Sequence, residues 1–75
     1  MNWRDHISVD PRIVHGRACI RGTRVPVTVI LANLAAGRTV AEILADYPSV
    51  SPDGVAAALF YAAELADERA LALPA

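Results

Sequence analysis

The spacing of the apolar positions changes once along this chain, near residue 26. Ahead of that point the pattern is short and extended. Ile7-Ser8-Val9 alternates like a half-buried strand, and Asp10-Pro11 closes it as a turn. Arg12-Ile13-Val14 is a second extended piece, His15-Gly16 a second turn, and Arg17-Ala18-Cys19-Ile20 a third extended piece. Two of the three are expected to pair as a small hairpin, with Val9, Ile13 and Ile20 turned inward. A lone hairpin is barely stable in water, so it must rest on helices or meet a partner strand.

Beyond residue 26 the period becomes helical. From Pro26 or Thr28, Val27, Ile30, Leu31 and Leu34 fall at i, i+3, i+4 and i+7, and Gly37 is a natural stop. Thr39-Val40-Ala41-Glu42 is a capping box that opens a second helix on Val40, Ile43, Leu44 and Tyr47. Pro48 ends it. Ser51-Pro52-Asp53 starts a third helix: N-cap, proline in the first turn, and a carboxylate near the positive end of the dipole. This helix is expected to run to Arg69 or Leu71. Its apolar positions form two stripes, Val55, Leu59, Ala62 and Ala66, and beside them Ala56, Phe60 and Ala63. One stripe can face the other helices; the second needs a cover, and a second copy of the chain supplies one economically.

The two patterns meet in Ile20-Arg21-Gly22-Thr23-Arg24-Val25-Pro26-Val27, around which the chain is organised. Gly22 can take a positive φ, so a sharp turn is expected there. Pro26 has a fixed φ suited to a helix start. Arg21 and Arg24 sit on this corner, where planar guanidinium forks suit a carboxylate or phosphate partner. The alternative is a solvated turn whose arginines pair with the chain's own carboxylates.

The 75 residues make one domain, with a β-arm and turn over 1–25 and three helices over 26–71. Apolar residues make up 55% of the chain, yet only four residues are aromatic. A core of Ala, Val, Leu and Ile in so short a chain favours close-packed helices completed by a homodimer. Net charge is −1 but unevenly spread. Arg4, Arg12, Arg17, Arg21, Arg24 and Arg38 face only Asp5 and Asp10 in the front half, whereas the back half is acidic. That asymmetry points to partner recognition.

Cys19 is the sole cysteine, so no internal disulfide forms, and with His6 and His15 it falls short of a zinc site. No metal or other cofactor is expected. A polar amino terminus and the lack of a span of roughly 20 apolar residues argue for a cytoplasmic protein with no membrane contact. Catalysis has no support. Asp5-His6 lies near an end expected to fray, and Glu42 with Asp46 reads as a solvated pair on a helix surface. Neither a Walker loop nor HExxH is present, and no small-molecule substrate is implied.

Taken together, Asp10-Pro11, the run from Gly16 to Val27, Gly37, Glu42-Ile43-Leu44, Asp46-Tyr47-Pro48, Val55-Ala56-Ala57-Ala58-Leu59 and Tyr61 resemble the domain-of-unknown-function 433 family. The likeness spans roughly Ile7 to Ala63. It implies a mainly α fold: a short N-terminal β-hairpin, then a three-helix homeodomain-like helix-turn-helix bundle, dimeric and without enzymatic activity. It further implies a cytoplasmic antitoxin of a type II toxin–antitoxin pair that neutralises a PIN-like ribonuclease. Three positions depart from the family pattern. His15 stands where glycine is common, Ala18 where proline is common, and Gly54 where an acidic residue follows Asp53. Gly54 also weakens the first helical turn by about 1 kcal/mol against alanine.

The candidate partner-binding residues are Arg17, Arg21 and Arg24, with Arg12 and Arg38 behind them. The candidate dimer contacts are Val55, Leu59, Phe60 and Ala63. The alternative function is a DNA-binding autoregulator. The start of the third helix reads bases poorly, since Ser51, Pro52, Asp53, Gly54, Ala57 and Ala58 offer no bidentate base contact. Operator DNA would therefore fall to the arginine-rich arm, with Thr23 and Thr39 as phosphate contacts.

Overall fold

Two strands of three residues each, β1 (Ile7–Val9) and β2 (Ala18–Ile20), pair antiparallel in the register Ile7 to Ile20, Ser8 to Cys19 and Val9 to Ala18. Three helices follow: α1 (Val27–Ala35), α2 (Val40–Asp46) and α3 (Pro52–Leu65). The fold is mainly helical, and the computed structural model describes residues 1–67.

Each helix boundary has a local cause. The Thr39 hydroxyl accepts from the Glu42 N–H at 3.1 Å, and the Glu42 carboxylate accepts from the Thr39 N–H at 2.9 Å. The Ser51 hydroxyl accepts from the Gly54 N–H at 3.1 Å, and Pro52 occupies the first turn of α3. At the end of α1, Gly37 takes φ 85°. The Gly37 N–H then reaches the Leu34 carbonyl and the Arg38 N–H the Asn33 carbonyl, which closes a Schellman motif. Pro48 follows Tyr47, the cap of α2.

The core is aliphatic. Ile7 and Ile20 from the hairpin meet Val27 and Ile30 of α1, Ile43 of α2, Val50, and Val55, Ala57 and Ala58 of α3. Gly54 lies inside this contact. A β-carbon there would fall 3.1 Å from Ile20 Cγ2 and 3.3 Å from Val50 Cγ1, both on buried side chains. The propensity that glycine forfeits is thus offset by the close approach of α3 to the hairpin.

Several expectations need correction. Arg12-Ile13-Val14 is not a strand: the chain turns at Asp10, Ile13 keeps an extended backbone, and Val14, His15 and Gly16 all have positive φ, at 48°, 55° and 79°. Val9, expected to point inward, is exposed, because the strand pair runs past the end of the core. α3 ends at Leu65, with Ala66 as its cap; Arg69 and Leu71 lie outside the described residues. Its buried face is Gly54, Val55, Ala57, Ala58 and half-buried Tyr61, which matches neither expected stripe. Val55 is 2% exposed and belongs to the core, so it is withdrawn as a dimer contact.

The amino-terminal end, expected to fray, is docked. Trp3–Asp5 forms a 3-10 turn against α3, and the Trp3 indole meets Tyr61 edge-on at 5.2 Å. Trp3 Nε1 donates to Glu64 Oε2 at 2.6 Å, and the Arg4 guanidinium stacks 4.4 Å from the indole centroid while pairing with Glu64 at 3.1 Å.

Candidate partner-binding surface

After Ile20 the chain reverses within four residues. The Thr23 N–H donates to the Ile20 carbonyl at 3.0 Å, and Gly22 takes φ 79° at the third position, the geometry of a type II turn. The Thr23 hydroxyl donates to the Ile20 carbonyl at 2.7 Å and accepts from the Val25 N–H at 3.0 Å. The Ile20 N–H donates to the Val25 carbonyl, and Pro26 bridges back to Cys19. Thr23 is thus occupied in building the turn. Pro26, at φ −63° and ψ 144°, then caps α1.

Arg21 is occupied as well. Its Nε donates to the Asp5 carbonyl at 3.0 Å, and one terminal nitrogen donates to the carbonyls of Arg4 at 3.2 Å and Ile7 at 2.9 Å. Its own N–H donates to the His6 carbonyl at 2.8 Å. The side chain therefore ties the amino-terminal turn and β1 to the corner. Backbone carbonyls hold it, where sequence reasoning set carboxylates against an outside partner.

The other arginines differ in how freely they are presented. Arg12 pairs with Asp10 at 3.1 Å, and its side chain is 88% exposed. An ion pair so open to water is weak and exchangeable. The Arg12 guanidinium and N–H together hold the Asp10 carboxyl below its usual pKa. Arg38 donates to Asp46 and to Asn33, and the hydrogen bond to Asp46 raises its pKa. Hydrogen bonds from the Thr39 N–H, then from its hydroxyl, lower the pKa of Glu42. Among the described arginines, Arg17 and Arg24 carry no hydrogen bond or ion pair from the side chain.

The register sets these groups apart. Arg12 and Arg17 lie on the connection between β1 and β2, whereas Arg21 and Arg24 lie at the opposite end of the hairpin. Three-residue strands separate the two ends by about 10 Å. Arg24 is exposed, one residue past the bonded turn. Arg17 borders a groove between α1 and the end of α3, lined by Val27, Leu31, Tyr61, Leu65 and Ala66.

A second apolar surface lies on the outward side of α3. Leu59 is 49% and Phe60 53% exposed, and with Ala56 and Ala63 they line a shallow depression. Gly54, Ala57 and Ala58 face the core instead. No group of three His, Cys, Asp or Glu side chains among the described residues could hold a metal ion. No described helix is long and apolar enough to cross a membrane.

A family model described as "Protein of unknown function (DUF433)" matches residues 7–62. The chain is 37% identical over 59 residues to "Uncharacterized protein y4eO" of Sinorhizobium fredii (strain NBRC 101917 / NGR234), covering 79% of this chain and 27% of that protein. It also superposes on the crystal structure of a DUF433 member protein from Anabaena variabilis ATCC 29413 with a TM-score of 0.75 at 33% identity. That match covers 81% of this chain and 60% of the other. The chain thus spans about a quarter of the curated relative's length and three fifths of the solved one.

Proposed function

The chain belongs to the DUF433 family, and on that premise we propose that it is a non-catalytic binding module. It self-associates through the outward face of α3 and acts as the antitoxin of a PIN-like ribonuclease. The observation that supports this reading is Arg24: an exposed residue beside a turn fixed by its neighbours, with no hydrogen bond or ion pair from its side chain among the described residues. Metal-dependent nucleases gather carboxylates around their cations, and a guanidinium fork binds a carboxylate through two charge-assisted hydrogen bonds. A preset turn spares the ordering cost that a mobile side chain brings to binding. Arg12, whose pair with Asp10 is weak, can exchange partners in the same complex.

Mixing the purified chain with the nuclease encoded beside its gene tests the reading. A stable complex and loss of RNase activity are expected. Arg24→Glu should weaken the complex at least about tenfold, the scale of a lost charge pair at an interface, with its thermal unfolding unchanged. No complex and undiminished RNase activity would end the reading.

Operator DNA is the second reading. It draws on Arg24, Arg12 and Arg17 rather than the start of α3, because Gly54, Ala57 and Ala58 are spent on the core. Its mark is a log–log salt slope of about −0.9 per phosphate contact.

A further inference from the structure

Val27 and Leu31 stand one turn apart on α1, and Tyr61 and Leu65 one turn apart on α3, so each pair shares a face of its helix. Between these pairs α3 places only the methyl groups of Ala62 and Ala66, and the space that larger side chains would take is left as a groove. Ala18 of the hairpin forms a third wall. Val27, 1% exposed, belongs to the core beneath it, whereas Leu65 stands 70% exposed at its edge. The volume is about 510 Å³, within the roughly 300–1,000 Å³ typical of small-molecule sites.

The charge in this groove has one sign. Arg17 is the one charged residue that lines it, and its guanidinium has no hydrogen bond or ion pair among the described residues. No lining residue is a carboxylate, and the two other polar ones, Thr28 and Tyr61, are neutral. We infer that the groove binds a small aliphatic carboxylic acid, its chain lying between α1 and α3 and its carboxylate on Arg17. The chain of the acid displaces water from Leu31 and Leu65. The planar guanidinium takes the carboxylate through two parallel hydrogen bonds. An alkylamine of the same length would meet a like charge, and an alcohol would leave the guanidinium to water. The groove lies on another side of α3 from Leu59 and Phe60, so the site depends on neither self-association nor the nuclease.

Titration of the nitrogen-15-labelled full chain with octanoate, octan-1-ol and octylammonium is the test. Octanoate should shift the amide signals of Ala18, Leu31 and Leu65 saturably. It should bind about fivefold tighter than octanol, the upper end for an ion pair open to water, and octylammonium should bind more weakly than octanol. Arg17→Gln should remove the preference for octanoate over octanol and leave octanol binding unchanged. Ala62→Leu, which fills the groove, should abolish the saturable shifts while circular dichroism shows an intact fold. The inference is overturned by an absence of saturable shifts, by shifts centred on Leu59 and Phe60, or by equal affinity for octanoate and octanol. An Arg17→Gln variant that keeps the preference, or a folded Ala62→Leu variant that still binds octanoate, overturns it as well.

Discussion

Arg21→Ala is expected to lower the unfolding free energy by about 3 kcal/mol, since hydrogen bonds to charged groups contribute roughly 1.5–3 kcal/mol and three are lost. The sum is discounted because two of the three lie at the exposed surface. The carbonyls of Arg4, Asp5 and Ile7 would lose a shared donor, and the amino-terminal turn would hold to the corner only through main-chain bonds and the Trp3 contact with α3. At this size, a loss of that order lowers the melting temperature by about 15 °C. Arg21→Lys should recover less than half, because one ammonium cannot span three carbonyls as a planar fork does. Arg24→Ala is the control and should stay within about 0.5 kcal/mol of wild type, as exposed sites without partners do. Thermal unfolding followed by far-ultraviolet circular dichroism reads all three. Equal losses for Arg21→Ala and Arg24→Ala would show that Arg21 is no clasp.

Ile43→Ala is expected to cost about 4 kcal/mol, the upper part of the range for a buried isoleucine truncated to alanine. Ile43 is 0% exposed and is the one fully buried residue of α2. Seven residues are too few for a helix to persist by propensity alone, so packing of this side chain holds α2 in place. The total stability of a chain this short is roughly 4–11 kcal/mol, at 0.05–0.15 kcal/mol per residue. The variant should therefore lose between about a third and all of the stability, while Ile43→Val should lose only about 1 kcal/mol. Denaturant titration checks both. An Ile43→Ala variant within 1 kcal/mol of wild type would mean that α2 is held by its caps.

The three helix starts and the stops of α1 and α2 were legible because capping is chemistry between near neighbours; the end of α3 carries no such local signal. Thr39 with Glu42, Ser51 with Pro52, Gly37 and Pro48 each act within a few residues, as the structure has them. The connection before β2 was not legible. Val14 has a side chain suited to strands, yet it sits at φ 48°, a left-handed conformation rare for β-branched residues. No local preference announces that; the turns that bring Ala18 opposite Val9 impose it.

The burial of α3 was misread for a related reason. Gly54, Ala57 and Ala58 carry little apolar weight in a periodicity, but small size is what lets the helix press against Ile20 and Val50. The larger Leu59 and Phe60, expected on separate stripes, share the solvent side. Arg21 was set beside Arg24 as a binding residue because the sequence shows two similar side chains three apart. Its partners lie 14 to 17 residues away, on the amino-terminal turn and the first residue of β1.

The division between these two arginines, one spent on the fold and one without a side-chain bond among the described residues, is measured most directly by hydrogen exchange at their side-chain Nε–H groups, followed by nitrogen-15 NMR of the free chain. Arg21 Nε–H, bonded to the Asp5 carbonyl at 3.0 Å, should exchange at least about tenfold more slowly than Arg24 Nε–H, as bonded groups that need local opening do. Indistinguishable rates would contradict that division.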